Sequence, residues 1–193
     1  MVCFTVFGLT LAVDFTAPAL LALLSLILPQ TALLRTLTAC LLHECAHLLA
    51  MALTGRKPEM LRLSAAGMLL KMQAPALCPA GAFAVILCAG PAANLLAALL
   101  LYRCGSPESA AANLSLALFN LLPSRSTDGG SLLYTLLEQK YIRSRPELPA
   151  KILRGLFLLT AGALAWGMHS AGIRNPSLRG MLGFMLLSEL LGS

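Results

Sequence analysis

The sequence predicts an all-α polytopic membrane protein of about six transmembrane helices, with one short β-hairpin between the second and third. Three observations carry this. The 193 residues are 58% hydrophobic and only 11% charged, less than half the charge that covers the surface of an ordinary soluble domain. Mean hydropathy is +0.81. Several stretches of about 20 residues hold no charge at all, which is the length a helix needs to cross a bilayer. Disorder and collagen-like repeats are excluded, because the 11 prolines and 15 glycines are scattered without period in a chain far too apolar for either.

Phe15 to Leu34 is free of charge and reads as span one. Thr36 to Gly55 is span two, apolar apart from a cluster of ionisable groups, with a hinge at Pro29 and Gln30. Ala82 to Tyr102, the second half of a charge-free stretch from Met72, is span three. Span four runs from about Ser109 to Leu122, where Pro123 removes a backbone donor and interrupts the helix. Gly155 to Ile173 makes span five and Ser177 to Leu191 a short span six.

Strands are expected only in Arg56 to Lys71. There Leu61 and Leu63 alternate with Arg62 and Ser64, and Met68 to Met72 return after a turn at Ala65, Ala66 and Gly67. The N-terminal segment lacks the basic start and cleavage site of a signal peptide and is expected to be retained, running into span one. The whole chain, 1–193, reads as a single membrane-embedded domain.

Basic residues set the orientation. Arg56, Lys57, Arg62 and Lys71 follow span two, and Lys140, Arg143, Arg145, Lys151 and Arg154 follow span four. Arg103, Arg174 and Arg179 lie on the other side, and Arg35 is ambiguous. Nine against three places the first two connections in the cytoplasm. The net charge of +6 is thereby explained without nucleic acid, for which the basic residues have no aromatic platform. The six cysteines show no C-x-x-C pair and read as small buried packing residues.

Within span two the chain reads His43, Glu44, Cys45, Ala46, His47. Ionisable groups at membrane depth cost on the order of 2.5–3.5 kcal/mol for one charged side chain on insertion scales, so something must compensate. Positions four apart on a helix differ by roughly 40° in azimuth and 6 Å in rise, so both imidazoles point the same way and can hold one ion. Glu44 lies to the side, where a general base for metal-bound water would sit. The pattern also arises by chance in solvated helices, but lipid makes an idle cluster costly. A polar contact within a small metal-ion or proton transporter is the rival reading, and spans one, three and five offer almost no further polar groups for such a path.

A catalytic zinc site usually takes three protein ligands and a water. Asp14, Glu59, Glu108, Glu138 and Glu189 fall in connections, charge-rich loops or near the ends. Asp128 lies among apolar residues beyond the break at Pro123, followed by Gly129 and Gly130, which allow close backbone approach to another helix. On spacing Asp128 stands first and His169 second, with Asp-Gly-Gly as simple turn chemistry the alternative.

These residues resemble the paired motifs of the site-2 protease family of intramembrane zinc metalloproteases. The likeness consists of His43, Glu44 and His47, then Asn120, Leu121, Leu122 and Pro123, and five residues later Asp128, Gly129 and Gly130. Gly90, Pro91, Ala92, Ala93, Asn94 is similar to the Gly-Pro-x-x-Asn segment of the intervening span. The resemblance covers about Thr36 to Leu137. It implies one Zn²⁺ per chain on His43, His47 and Asp128, Glu44 as catalytic acid/base, and Asn94 and Asn120 positioning substrate or catalytic groups. Small size and the lack of a PDZ insertion look most like the sporulation branch, typified by stage IV sporulation protein FB. That branch implies a bacterial cell-membrane location, an active site toward the cytoplasmic side, a membrane-associated substrate such as a sigma-factor precursor, and an inhibitory membrane partner. Two departures stand out: no CBS module is expected, so regulation by ATP is not either, and Ser124 to Thr127 replace an apolar, proline-containing stretch, bringing Arg125 close to the site. Chemically, the edge of the predicted hairpin could take an extended substrate as an added strand. Oligomeric state is not encoded in any pattern here.

Overall fold

A computed structural model describes residues 1–6, 9–64, 67–72, 78–141, 144–172, 180, 183 and 186. The chain divides into two compact units, 1–118 and 119–193.

The first unit opens with two strands, β1 (Val2–Val6) and β2 (Leu9–Val13), antiparallel to each other. The sequence reading had confined strands to the 56–71 region, and this pair corrects it. The β-branched Val2, Thr5, Val6, Thr10 and Val13 carry the strand preference, which the high hydropathy of the segment obscured. Helix α1 (Thr16–Ile27) follows, then an extended Leu28 and Pro29, then α2 (Gln30–Leu53). Strand β3 (Pro58–Ser64) pairs in parallel with β2, and β4 (Gly67–Met72) returns antiparallel to β3, the expected hairpin. The sheet order β1-β2-β3-β4 leaves β1 and β4 as edges. Beyond the strands, the Asp14 N–H donates to Leu63 O at 2.8 Å, and Arg62 donates to the Asp14 carboxylate at 2.7 Å.

Helix α3 (Ala80–Arg103) and α4 (Pro107–Asn120) complete this part of the chain. Helices α2 and α3 end alike. Gly55 and Gly105 adopt φ of 69° and 75°, and the next amide reaches back to the fifth residue before it: Arg56 N–H to Met51 O, and Ser106 N–H to Leu101 O, at 2.8 and 2.9 Å. Glycine reaches that left-handed conformation without a Cβ penalty, which is why the helices stop there.

Apart from Met51 and Ile86, what α2 and α3 bury is small or polar: Ala39, His43, His47 and Ala50 on one, Gly90, Pro91, Asn94 and Ala98 on the other. What they expose is large and apolar, including Leu34, Leu41, Leu49, Leu53, Val85, Leu96, Leu99 and Leu100. A soluble protein would do the reverse. Packing through small residues with leucines outward is how helices associate in lipid, where aliphatic side chains gain nothing by hiding.

The second unit begins with the last turn of α4, passes through an irregular stretch at 121–127, and forms α5 (Asp128–Tyr141) and α6 (Leu148–Ser170). Phe157 and Ala161 of α6 form its core with Phe119, Leu122 and Leu186.

Among the described residues three helices, α2, α3 and α6, are long and apolar enough to cross a membrane. With 23 or 24 residues each they reach about 35 Å at 1.5 Å per residue, against a hydrocarbon core of about 30 Å. The remaining expected spans differ. Pro29 ends span one early, leaving α1 with 12 residues or about 18 Å, and α4 has 14. Span six, apart from Gly180, Gly183 and Leu186, lies outside the described residues, as does the turn expected at Ala65 and Ala66. The cysteines are not buried as expected: Cys3, Cys45, Cys88 and Cys104 are exposed, and Cys40 and Cys78 half-buried, all as free thiols. On a lipid-facing surface a small apolar side chain is as well placed outward as inward.

Candidate metal centre

The centre of the first unit is built on the middle of α2. His43 and His47, one helical turn apart, are both buried. Each ring is held through Nδ1. His43 Nδ1 lies 2.7 Å from Asn94 Oδ1, and His47 Nδ1 lies 2.7 Å from the Ile86 carbonyl oxygen, both partners being on α3. A carbonyl oxygen only accepts, so each Nδ1 carries the proton and each Nε2 is left with a lone pair.

The orientation of Asn94 is itself determined. Its Nδ2 donates to Ala39 O at 3.1 Å and to Asn113 Oδ1 at 2.8 Å, which leaves Oδ1 for His43. The two Nε2 atoms face each other at 3.1 Å with the rings at 79°. A contact that short between the two Nε2 atoms is held by a cation that both lone pairs ligate, or by one added proton shared between the rings. Two nitrogens bound to one tetrahedral zinc at 2.0–2.1 Å are about 3.3–3.4 Å apart, close to what these rings already show.

Gly90 supplies the space. A Cβ there would lie 2.6 Å from Cε1 and Nε2 of His43 and closer still to His47 Nε2. Any side chain would occupy the ground on which the two nitrogens converge. Pro91 lies inside the same helix and lacks the amide that would bond Leu87 O. Gly90 and Asn94 act on the histidine pair in two ways: room and an acceptor. The donor chemistry and the cradle both fit a divalent cation. Glu44 sits on the adjacent position of α2, half-buried.

In the second unit Asp128 is the first residue of α5 and half-buried, where the positive end of the helix dipole favours a carboxylate. Thr127 caps that helix. Its Oγ1 accepts from Gly130 N–H at 3.3 Å and donates to the carbonyls of Leu122 and Ser124. The nearest atoms to the two glycines after Asp128 belong to the preceding stretch at 121–127. A Cβ on Gly129 would lie 2.7 Å from Leu121 O, and one on Gly130 would overlap the Ser124 backbone. Arg125 is exposed, its guanidinium 5.0 Å from the Tyr134 ring centre. Asn120 ends α4, half-buried, and His169 is exposed in the last turn of α6.

The α2 and α3 residues read from the sequence are thus brought together as His43, His47 and Asn94. Asn113, buried on α4, belongs with them and was not anticipated. Its only sequence signal is a polar side chain in an otherwise apolar run.

No protein-family model matches the chain, and no curated protein does. Among solved structures it is similar to the site-2 protease from Methanocaldococcus jannaschii, with a TM-score of 0.63 and 22% identity over 98% of this chain and 90% of that one. At that level of identity the likeness establishes a shared fold: this chain folds as that site-2 protease does.

Proposed function

We propose that the chain is an integral membrane zinc metalloprotease of the site-2 protease type, hydrolysing a peptide bond in a membrane-associated protein. The observation that carries this reading is the buried, Nδ1-anchored pair of imidazoles whose Nε2 lone pairs converge at 3.1 Å above Gly90. The fold shared with a site-2 protease supports it, and so do three helices able to cross a membrane.

His43 and His47 each offer one buried ligand atom, and the motif resemblance makes Asp128 the third. A zinc ion held there would activate water and polarise the scissile carbonyl, and Glu44 would serve as the general acid/base that takes the water's proton and returns it to the leaving amine. Asn94 holds His43 in the tautomer that presents Nε2, and Asn120 positions substrate or catalytic groups. The substrate must be extended, because a helix hides its carbonyls in its own hydrogen bonds. Strand β4, at the sheet edge, offers backbone groups to which an extended segment adds.

The charge asymmetry of the connections supports a cytoplasmic active site. A multi-pass bacterial protein of about six spans, releasing a sigma factor from its membrane-associated precursor under an inhibitory membrane partner, is the finer form of the proposal and rests on motif layout alone. The test is coexpression with a candidate sigma-factor precursor and with a panel of single-span membrane proteins. The wild-type chain should cleave at least one while Glu44→Gln cleaves none and keeps its zinc. Zinc-loaded wild type that cleaves none of them would contradict the reading.

A further inference from the structure

The hydrogen bonds behind His43 do not stop at Asn94. Asn113 Nδ2 donates to the Ser109 carbonyl oxygen at 3.0 Å, one turn earlier on α4, so its Oδ1 is the atom left facing Asn94. That oxygen accepts from Asn94 Nδ2 at 2.8 Å. The result is a directional relay in which every donor and acceptor is assigned: Ser109 O fixes Asn113, Asn113 fixes Asn94, and Asn94 accepts the Nδ1 proton of His43. An amide can flip by 180° at little steric cost. Flipped, Asn94 would present N–H to His43 Nδ1, force that nitrogen to accept, and move the proton to Nε2, where it blocks the lone pair. Among the described residues two contacts oppose the flip, Ala39 O and Asn113 Oδ1, and the latter is the shorter. Both asparagines are buried, with Asn94 at 0% exposure, so water cannot substitute for either.

We propose that Asn113 is a positioning residue. It acts through Asn94, without touching the ion or substrate, to hold His43 as the Nδ1–H tautomer and keep its Nε2 available to metal. This rests on the metal-centre reading given above, but it concerns the protonation pattern of the chain itself. His47 provides an internal reference. Its Nδ1 proton goes to the Ile86 backbone oxygen, which cannot flip, so the relay does not govern it.

The experiment uses the full chain in lipid bilayers, stripped of metal by chelator, with ¹⁵N-labelled histidine and signals assigned by single-histidine variants. Wild type should show Nδ1–H on both His43 and His47. In Asn113→Leu, which keeps the branched shape and removes the acceptor, His43 should lose part of its Nδ1–H population to Nε2–H while His47 is unchanged. Zn²⁺ affinity, read by chelator competition, should fall by about 10–100-fold, the range for outer-shell partners. A metal-free wild type in which His43 lacks Nδ1–H would overturn the proposal even if the variant failed to fold. So would an Asn113→Leu chain with wild-type tautomer and wild-type Zn²⁺ affinity, or one in which both histidines shift together. These readouts need no substrate. A chain that passes them and cleaves nothing sinks the protease reading alone, and a cleaving enzyme with an indifferent Asn113 sinks this inference alone.

Discussion

Gly90→Ala is the perturbation whose sign the structure decides. In a helix interior, alanine is ordinarily favoured over glycine by about 1 kcal/mol, so an α3 glycine with open space around it should tolerate or welcome the change. At Gly90 the added Cβ would sit 2.6 Å from two atoms of His43, and ordinary contact begins at 3.4 Å, so the ring or α3 must give by about 0.8 Å. The rings cannot swing aside freely, since each is tied through Nδ1 at 2.7 Å. Ligand positions in a metal site tolerate about 0.2 Å. A shift four times larger should therefore reduce zinc affinity by more than about 100-fold, beyond the range of outer-shell substitutions. Overpacking of a buried contact adds a destabilisation of about 1–3 kcal/mol. The assay is zinc stoichiometry and chelator competition on purified protein, with thermal unfolding alongside. Gly81→Ala on the same helix, where a Cβ meets nothing within 4 Å, is the control and should keep full zinc. If Gly90→Ala bound zinc as tightly as wild type, the reasoning that this glycine clears the space for the ion would be wrong.

Other expectations follow from the same geometry. Glu44→Gln should retain one zinc and lose the roughly 10²–10⁴-fold that general acid–base catalysis contributes, measured as cleavage rate at equal metal loading. Thr127→Ala removes the α5 cap and should lower the melting temperature by an amount equivalent to about 1 kcal/mol, whereas Gly130→Ala, which meets Ser124 backbone, should be worse than Thr127→Ala in the same scan. Proline substitutions along β4 should slow cleavage while zinc content stays normal; unchanged cleavage would count against strand addition. The Arg62 guanidinium holds the Asp14 carboxyl below its usual 3.8 through their hydrogen bond. A lowered folded-state value means stability that is present above the unfolded pKa and lost as pH falls through the folded one, so the contribution disappears below about pH 4. Asp14→Asn should flatten the pH dependence of unfolding there.

The sequence made the α2 part of the site readable because helical spacing is local: His43 and His47 are one turn apart whatever the rest of the chain does. The breaks at Pro29 and Pro123 and the hairpin at 58–72 were legible for the same reason, each being a property of neighbouring residues. The contacts that give the histidines their tautomers were not. Asn94 could be singled out by its motif but not assigned to His43, and Asn113 showed only as a polar residue in an apolar run, because those partners are 51 and 19 residues apart in the chain. The strands β1 and β2 were missed because an apolar run of β-branched residues looks the same whether it enters lipid or a sheet. Helix length was overestimated at α1, where proline chemistry overrode continuous hydropathy.

The central claim is that His43, His47 and Asp128 hold one divalent cation. Zinc-edge X-ray absorption on the purified full chain tests it most directly. It should find one zinc per chain with nitrogen and oxygen neighbours at about 2.0–2.1 Å, two of them imidazoles, and the signal should be lost in Asp128→Ala. Sulfur neighbours at about 2.3 Å, as cysteine ligation would give, or a chain that carries no transition metal, would contradict the account.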